Sequence, residues 1–180
     1  CILTCEAFFL SAPTRALSSY THAIEHLFSP PAAISSLDEL TNVRIPGSVG
    51  DILAYKAIPT GSNANESSLP SIILIHEFFG LNPSIIDKAQ TLSNELNCKV
   101  IAPDTFRGET TTFIPKAIWL ALTTPQERVN EDLDCVCTYL QSENGDRIKN
   151  NNKLAVMGFC YGGGKAIRYT TQHRQDAATV

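Results

Sequence analysis

Gly158-Phe159-Cys160-Tyr161-Gly162 places a thiol between two glycines, where an apolar stretch, Leu154 to Met157, meets a segment of helical character, Gly162 to Gln172. That spacing has a steric logic. A nucleophile held on a sharp turn from strand into helix draws the residues two before and two after it together, and a Cβ on either would collide. Cys160 would then stand at a helix N-terminus, where unpaired N–H groups and the helix dipole favour thiolate over thiol. The backbone N–H of Tyr161 is the natural first donor to an oxyanion formed on attack. With 10 Gly and 6 Cys in the chain, composition alone produces this pattern about 0.02 times, so chance does not explain it. The competing reading is a glycine-rich turn carrying an inert, buried cysteine.

His76-Glu77-Phe78-Phe79-Gly80 follows another short apolar run, Ser71 to Ile75. Ligands of open α/β sheets bind beyond the carboxyl ends of the strands, and Glu77, Asp104 and Cys160 all fall just past expected strand ends. They can therefore converge. In folds built around such an elbow this neighbouring strand end supplies the second oxyanion donor, assigned to the Phe78 N–H, and sets Glu77 near the thiol as a proton partner. Taken without the elbow, Glu77 is a solvated loop carboxylate and His76 a satisfied histidine at a strand end.

The elements that position these groups follow from periodicity. Ser71–Ile75, Lys99–Ala102 and Leu154–Met157 are short apolar runs suited to strands buried on both faces. Asn82-Pro83 supplies an N-cap and a first-turn proline for a helix carrying Ile85, Ala89, Leu92 and Leu96. Thr124 to Glu127 has capping-box spacing ahead of Val129, Leu133, Val136 and Leu140. Between them, Asp104 to Pro125 is a long connection with a short helix and Trp119, which is expected in the core. Strand, helix, strand, helix, strand, helix describes a parallel α/β sheet. Leu17, Tyr20, Ile24 and Leu27 mark a further helix in an N-terminal extension, residues 1–45, ahead of an α/β domain over residues 46–180.

Composition narrows the class. The 180 residues carry a net charge of −4 with no basic run, so nucleic acid and anionic membrane surfaces are not expected partners. No stretch is long and apolar enough for a membrane helix. The cysteines show neither a CxxC pair nor zinc spacing, which favours a reducing, cytoplasmic setting and no metal or other cofactor. Cys135 and Cys137 point to different sides of their helix and read as packing. An apolar start, Cys1 to Ala16, leaves a targeting segment as an alternative to a ragged beginning.

Three segments, Ile73 to Asn82, Ala102 to Gly108 and Met157 to Gly163, resemble the dienelactone hydrolase family of α/β-hydrolases in order and spacing. The resemblance covers Val49 to Val180. It implies a cysteine hydrolase of enol-lactones or related esters, without cofactor, in which Glu77 interacts with the Cys160 thiol. Where the family has Pro-Asp-Leu-Tyr or Pro-Asp-Leu-Phe, this chain has Pro-Asp-Thr-Phe.

A hydrolase triad continues, after the nucleophile, with an acid and then a histidine on later strand ends. Only 20 residues follow Cys160, fewer than the roughly 30 of one strand–helix–strand unit. His22, His26 and His76 precede the elbow, and His173 lies about 20 Å away along the expected helix. The expectation is a chain cut short before its base and inactive as it stands. It would be either part of an ester or lactone hydrolase or a non-catalytic, reactive-thiol module.

Overall fold

The computed structural model describes residues 36–61, 66–144, 154–172 and 178–179. The helix expected over residues 15–28, with His22 and His26, and also His173 fall outside the described residues. In chain order the elements are α1 (Leu37–Leu40), β1 (Val43–Ile45), β2 (Ile52–Ala57), a 3-10 turn (Glu66–Ser68), β3 (Ser71–Ile75), α2 (Pro83–Leu96), β4 (Lys99–Pro103), α3 (Ile114–Thr123), α4 (Gln126–Asn144), β5 (Leu154–Gly158), α5 (Tyr161–Gln172) and β6 (Ala178–Thr179). The strands form one sheet in the order β1-β2-β4-β3-β5-β6. The pairs β1·β2 and β2·β4 are antiparallel, and the rest are parallel. This is the expected mostly parallel sheet flanked by helices. It begins at Val43, inside the stretch that sequence alone left to the extension.

Both faces of the sheet are covered, which is why β3 and β4 are apolar at successive positions rather than alternating. Ile72, Leu74, Val100 and Ala102 pack with Ile85 and Ala89 of α2 on one face. On the other, Ile73, Ile75, Ile101 and Val156 meet Val129, Leu133, Val136 and Leu140 of α4 and Ala166 and Tyr169 of α5. Each fully buried Ile or Leu contributes about 1.5–3 kcal/mol relative to leaving it in water.

The end of α2 nearest the site is well determined locally. Asn82 Oδ1 accepts the Ile85 N–H at 3.3 Å, and a proline occupies the first turn. Thr124, read as the cap of α4, instead closes α3: its N–H and its hydroxyl both donate to Leu120 O. Trp119 is 60% exposed, not in the core, because α3 buries only Ala117 and Leu120 and turns Ile118, Trp119 and Leu122 outward.

Topology creates the crevice. From β3 the chain crosses through α2 to β4 on one side, whereas from β5 it leaves through α5, on the opposite face, for β6 on the other side. Neighbouring strands whose connections diverge leave an opening beyond their carboxyl ends. Here those strands are β3 and β5, and the segments that emerge there carry Glu77 and Cys160.

Candidate active site

Ile75 pairs with Gly158 at the end of the β3·β5 ladder. Glu77 and Cys160 each lie two residues beyond that pair, on adjacent strand tips. Cys160 has a left-handed backbone, φ 53°, and an exposed thiol. A β-carbon-bearing residue in that region costs about 1–2 kcal/mol, so the surrounding structure must hold it there. The glycines show how. A Cβ on Gly158 would sit 2.2 Å from the carbonyl carbon of Gly162, and one on Gly162 would sit 2.3 Å from Ile75 O and 2.6 Å from His76 O. Only glycines let the first turn of α5 fold back onto β5 and the β3 tip.

After the elbow, Gly162 N–H bonds Phe159 O and Gly164 N–H bonds Cys160 O. The Tyr161 N–H, at the first position of α5, is left over, as expected of the first donors of a helix. On the β3 tip, Glu77 O and Gly80 N–H close a turn at 3.1 Å, while the Phe78 N–H has no backbone acceptor among the described residues. Among the described residues, then, neither the Phe78 nor the Tyr161 N–H has a backbone acceptor. Gly80 has φ 89°, and its α-carbon lies so close to the Glu109 carbonyl that a side chain would collide.

Glu77 is neither fully solvated nor hydrogen-bonded to the thiol. Its Oε1 accepts from Lys88 Nζ of α2 at 2.7 Å, and both side chains are 17% exposed. The same ammonium lies 5.2 Å from the ring centre of Phe159, the residue before the nucleophile. Sequence reasoning missed Lys88. The one available signal was its placement a helical turn from Ile85 on a helix that must pack beside the crevice.

His76 is wholly buried, and both ring nitrogens are engaged. Its Nε2 accepts the Thr105 N–H at 3.2 Å, so the ring proton belongs on Nδ1, which lies 2.7 Å from Glu77 O. The Thr105 hydroxyl also lies 2.9 Å from Nε2. This is the satisfied strand-end histidine, and it cannot act as the base for Cys160. Asp104, expected to converge on the site, is instead buried in its own loop: its oxygens accept the N–H groups of Phe106 at 3.0 Å and Gly108 at 2.5 Å. A carboxylate just past a strand end can cap its loop as readily as it can face a crevice, and here the loop holds it.

Tyr161 turns inward, its ring 5.0 Å from that of Phe106 and 5.9 Å from that of His76, and burial pushes its phenol up. Behind it Lys165 Nζ donates to Thr124 O at 2.7 Å, its ammonium pushed down by burial and by Arg168 and Arg128. Arg107, left-handed at φ 57°, makes a double contact with the buried Asp132 and ties this loop to α4. Cys137 is buried against the Tyr169 hydroxyl, as its packing role requires. Among the described residues no group of three or more His, Cys, Asp or Glu could hold a metal ion, and no helix is long and apolar enough to cross a membrane.

Comparison with known proteins agrees with this geometry. Residues 52–180 match the model of the dienelactone hydrolase family. A Salmonella typhi protein named "Putative carboxymethylenebutenolidase" is 31% identical over 141 residues, covering 76% of this chain and 49% of that protein. An Escherichia coli protein of the same name is 30% identical over the same length. The chain thus spans about half the length of the curated relatives it matches. The crystal structure of a "Putative Dienelactone Hydrolase" from Klebsiella pneumoniae superposes with a TM-score of 0.60 at 26% identity, covering 73% of this chain and 53% of that one. An α/β hydrolase from the Lake Arreo metagenome shares the fold at a TM-score of 0.54 and 19% identity, over 91% of this chain and 47% of that one. A sheet of this order, an elbow of this shape and a match running from β2 to the last residue lead to one statement: the chain belongs to the dienelactone hydrolase family.

Proposed function

We propose that this chain is the nucleophile-bearing part of a hydrolase of carboxylic esters or enol-lactones, with Cys160 as the attacking group. The observation that carries the reading is the exposed thiol of Cys160 at φ 53° between two glycines that admit no Cβ. The thiolate adds to the substrate carbonyl, whose oxygen takes the negative charge and receives the N–H groups of Phe78 and Tyr161. Collapse of that adduct forms a thioester on Cys160 and expels the alcohol or enol oxygen. Glu77, on the adjacent tip, is the carboxylate that takes part in the thiol's proton exchange. The family match and the curated relatives support ester or lactone substrates, small molecules in either case. Free thiols at Cys98, Cys135 and Cys160 fit a reducing compartment such as the cytoplasm.

Thioester hydrolysis needs a base that activates water, and the one histidine among the described residues, His76, has both nitrogens spent. The 180-residue chain alone is therefore expected to acylate without turning over. Incubated with p-nitrophenyl acetate, it releases up to one equivalent of nitrophenolate and gains one acetyl group on Cys160 by peptide mass spectrometry; Cys160→Ala abolishes both. Continuous turnover that Cys160→Ser removes would overturn the inactivity of the isolated chain. Acetylation elsewhere, with Cys160 untouched, would overturn the nucleophile assignment.

A further inference from the structure

We infer that Lys88 is a positioning residue for the nucleophile: its ammonium holds the Glu77 carboxylate and covers Phe159, so that Cys160 faces a neutralised acid rather than a bare one. The inference rests on Cys160 being the nucleophile. Three observations carry it. The Lys88 Nζ to Glu77 Oε1 contact is 2.7 Å, within charge-assisted hydrogen-bond range, and both side chains are largely withdrawn from water. The same Nζ sits 5.2 Å from the Phe159 ring centre, which fixes the cation beside the residue that leads into the elbow. Glu77 and Cys160 each lie two residues beyond the last paired residues of adjacent strands, which puts them on neighbouring strand tips.

The other cations around this end of the sheet are spent elsewhere. Lys165 donates to Thr124 O, Arg128 to Thr105 O, and Arg107 to Asp132. His76 is buried with both nitrogens engaged. Among the described residues, Lys88 is the cation seen paired with the carboxylate at these two tips. A carboxylate left unpaired beside a thiol disfavours the thiolate, and a paired one does so far less. Lys88 thus preserves the reactivity that the helix N-terminus gives to Cys160, while keeping Glu77 oriented.

Alkylation by iodoacetamide reads this directly, since the thiolate displaces iodide as the C–S bond forms, and peptide mass spectrometry reports Cys160 alone. At pH 7 Lys88→Met is expected to slow Cys160 labelling by about fivefold, through a smaller thiolate fraction. Lys88→Arg stays within about twofold of the unsubstituted chain. The Lys88→Met/Glu77→Gln double variant, which removes the stranded carboxylate, recovers to within about twofold as well. A purely structural lysine would give no such recovery. Unchanged labelling in Lys88→Met, or a double variant no faster than Lys88→Met, would overturn the proposal. Should the unsubstituted chain itself label Cys160 no faster than its other thiols, the nucleophile assignment fails instead, and the two failures are told apart by that single comparison.

Discussion

A thiol at φ 53° stores strain that glycine would not feel. Replacing Cys160 by Gly is therefore expected to raise the stability of the chain by about 0.5–1 kcal/mol while removing its acylation, a gain that thermal melts would register. The opposite holds at Gly162. An added Cβ would lie 2.3 Å from the Ile75 carbonyl oxygen, so Gly162→Ala must displace backbone and should cost about 3 kcal/mol or more, or prevent folding. The Gly158 constraint was legible in the sequence because it is local, its clash with Gly162 lying within five consecutive residues, whereas the Gly162 clash comes from the neighbouring strand. Lys88 was not legible. Its distance from Glu77 depends on how α2 lies across the sheet, which the ten intervening residues do not specify. The engagement of His76 was open for a similar reason, since it comes from Thr105 on another strand end.

The elements behave in the same way, readable where their determinants are close in sequence. The cap and proline of α2 announced that helix, and the buried strands announced themselves as unbroken apolar runs. Thr124 misled because a hydroxyl between two helices can serve either, and the observed bond goes backward to Leu120. Ties between distant elements were invisible. Arg107 on the loop after β4 grips Asp132 of α4, which is 1% exposed. Asp132→Ala leaves the guanidinium without its buried partner and is expected to cost about 3 kcal/mol, seen as a lower urea midpoint. Lys56 of β2 and Tyr139 of α4 both donate to Glu143. Burial pushes the Glu143 carboxyl up, but those two hydrogen bonds outweigh it and hold the group below its ordinary value of 4.5. A carboxylate depressed in the folded state stabilises above its unfolded pKa and loses that contribution as pH falls through the folded value. Stability should therefore decline below about pH 4.5 by on the order of 1 kcal/mol from this residue. Glu143→Gln should flatten that acid limb in melts recorded between pH 3 and 6.

Across the whole molecule, strand order decides where chemistry can occur. The divergence of the chain from β3 and β5 opens the crevice, and the two tips that border it carry the carboxylate and the thiol. The parallel part of the sheet was legible from alternating strand and helix signals, whereas the three-residue β1 and the antiparallel pairings of β1 and β2 were not. α3 presents Phe113, Ile114, Ile118, Trp119 and Leu122 to solvent, an apolar face of the kind that binds hydrophobic dyes. The pair of substitutions Ile118→Lys and Leu122→Glu should reduce dye fluorescence while shifting stability by no more than about 0.5 kcal/mol. The central claim concerns the thiol that the fold lifts out at the end of β5. Its most direct test is competitive labelling of the folded chain with substoichiometric iodoacetamide, followed by peptide mass spectrometry of Cys98, Cys135, Cys137 and Cys160. The account predicts that Cys160 takes up the label at least about tenfold faster than any of the other three; equal uptake by Cys135, or protection of Cys160 comparable to that of Cys98, would contradict it.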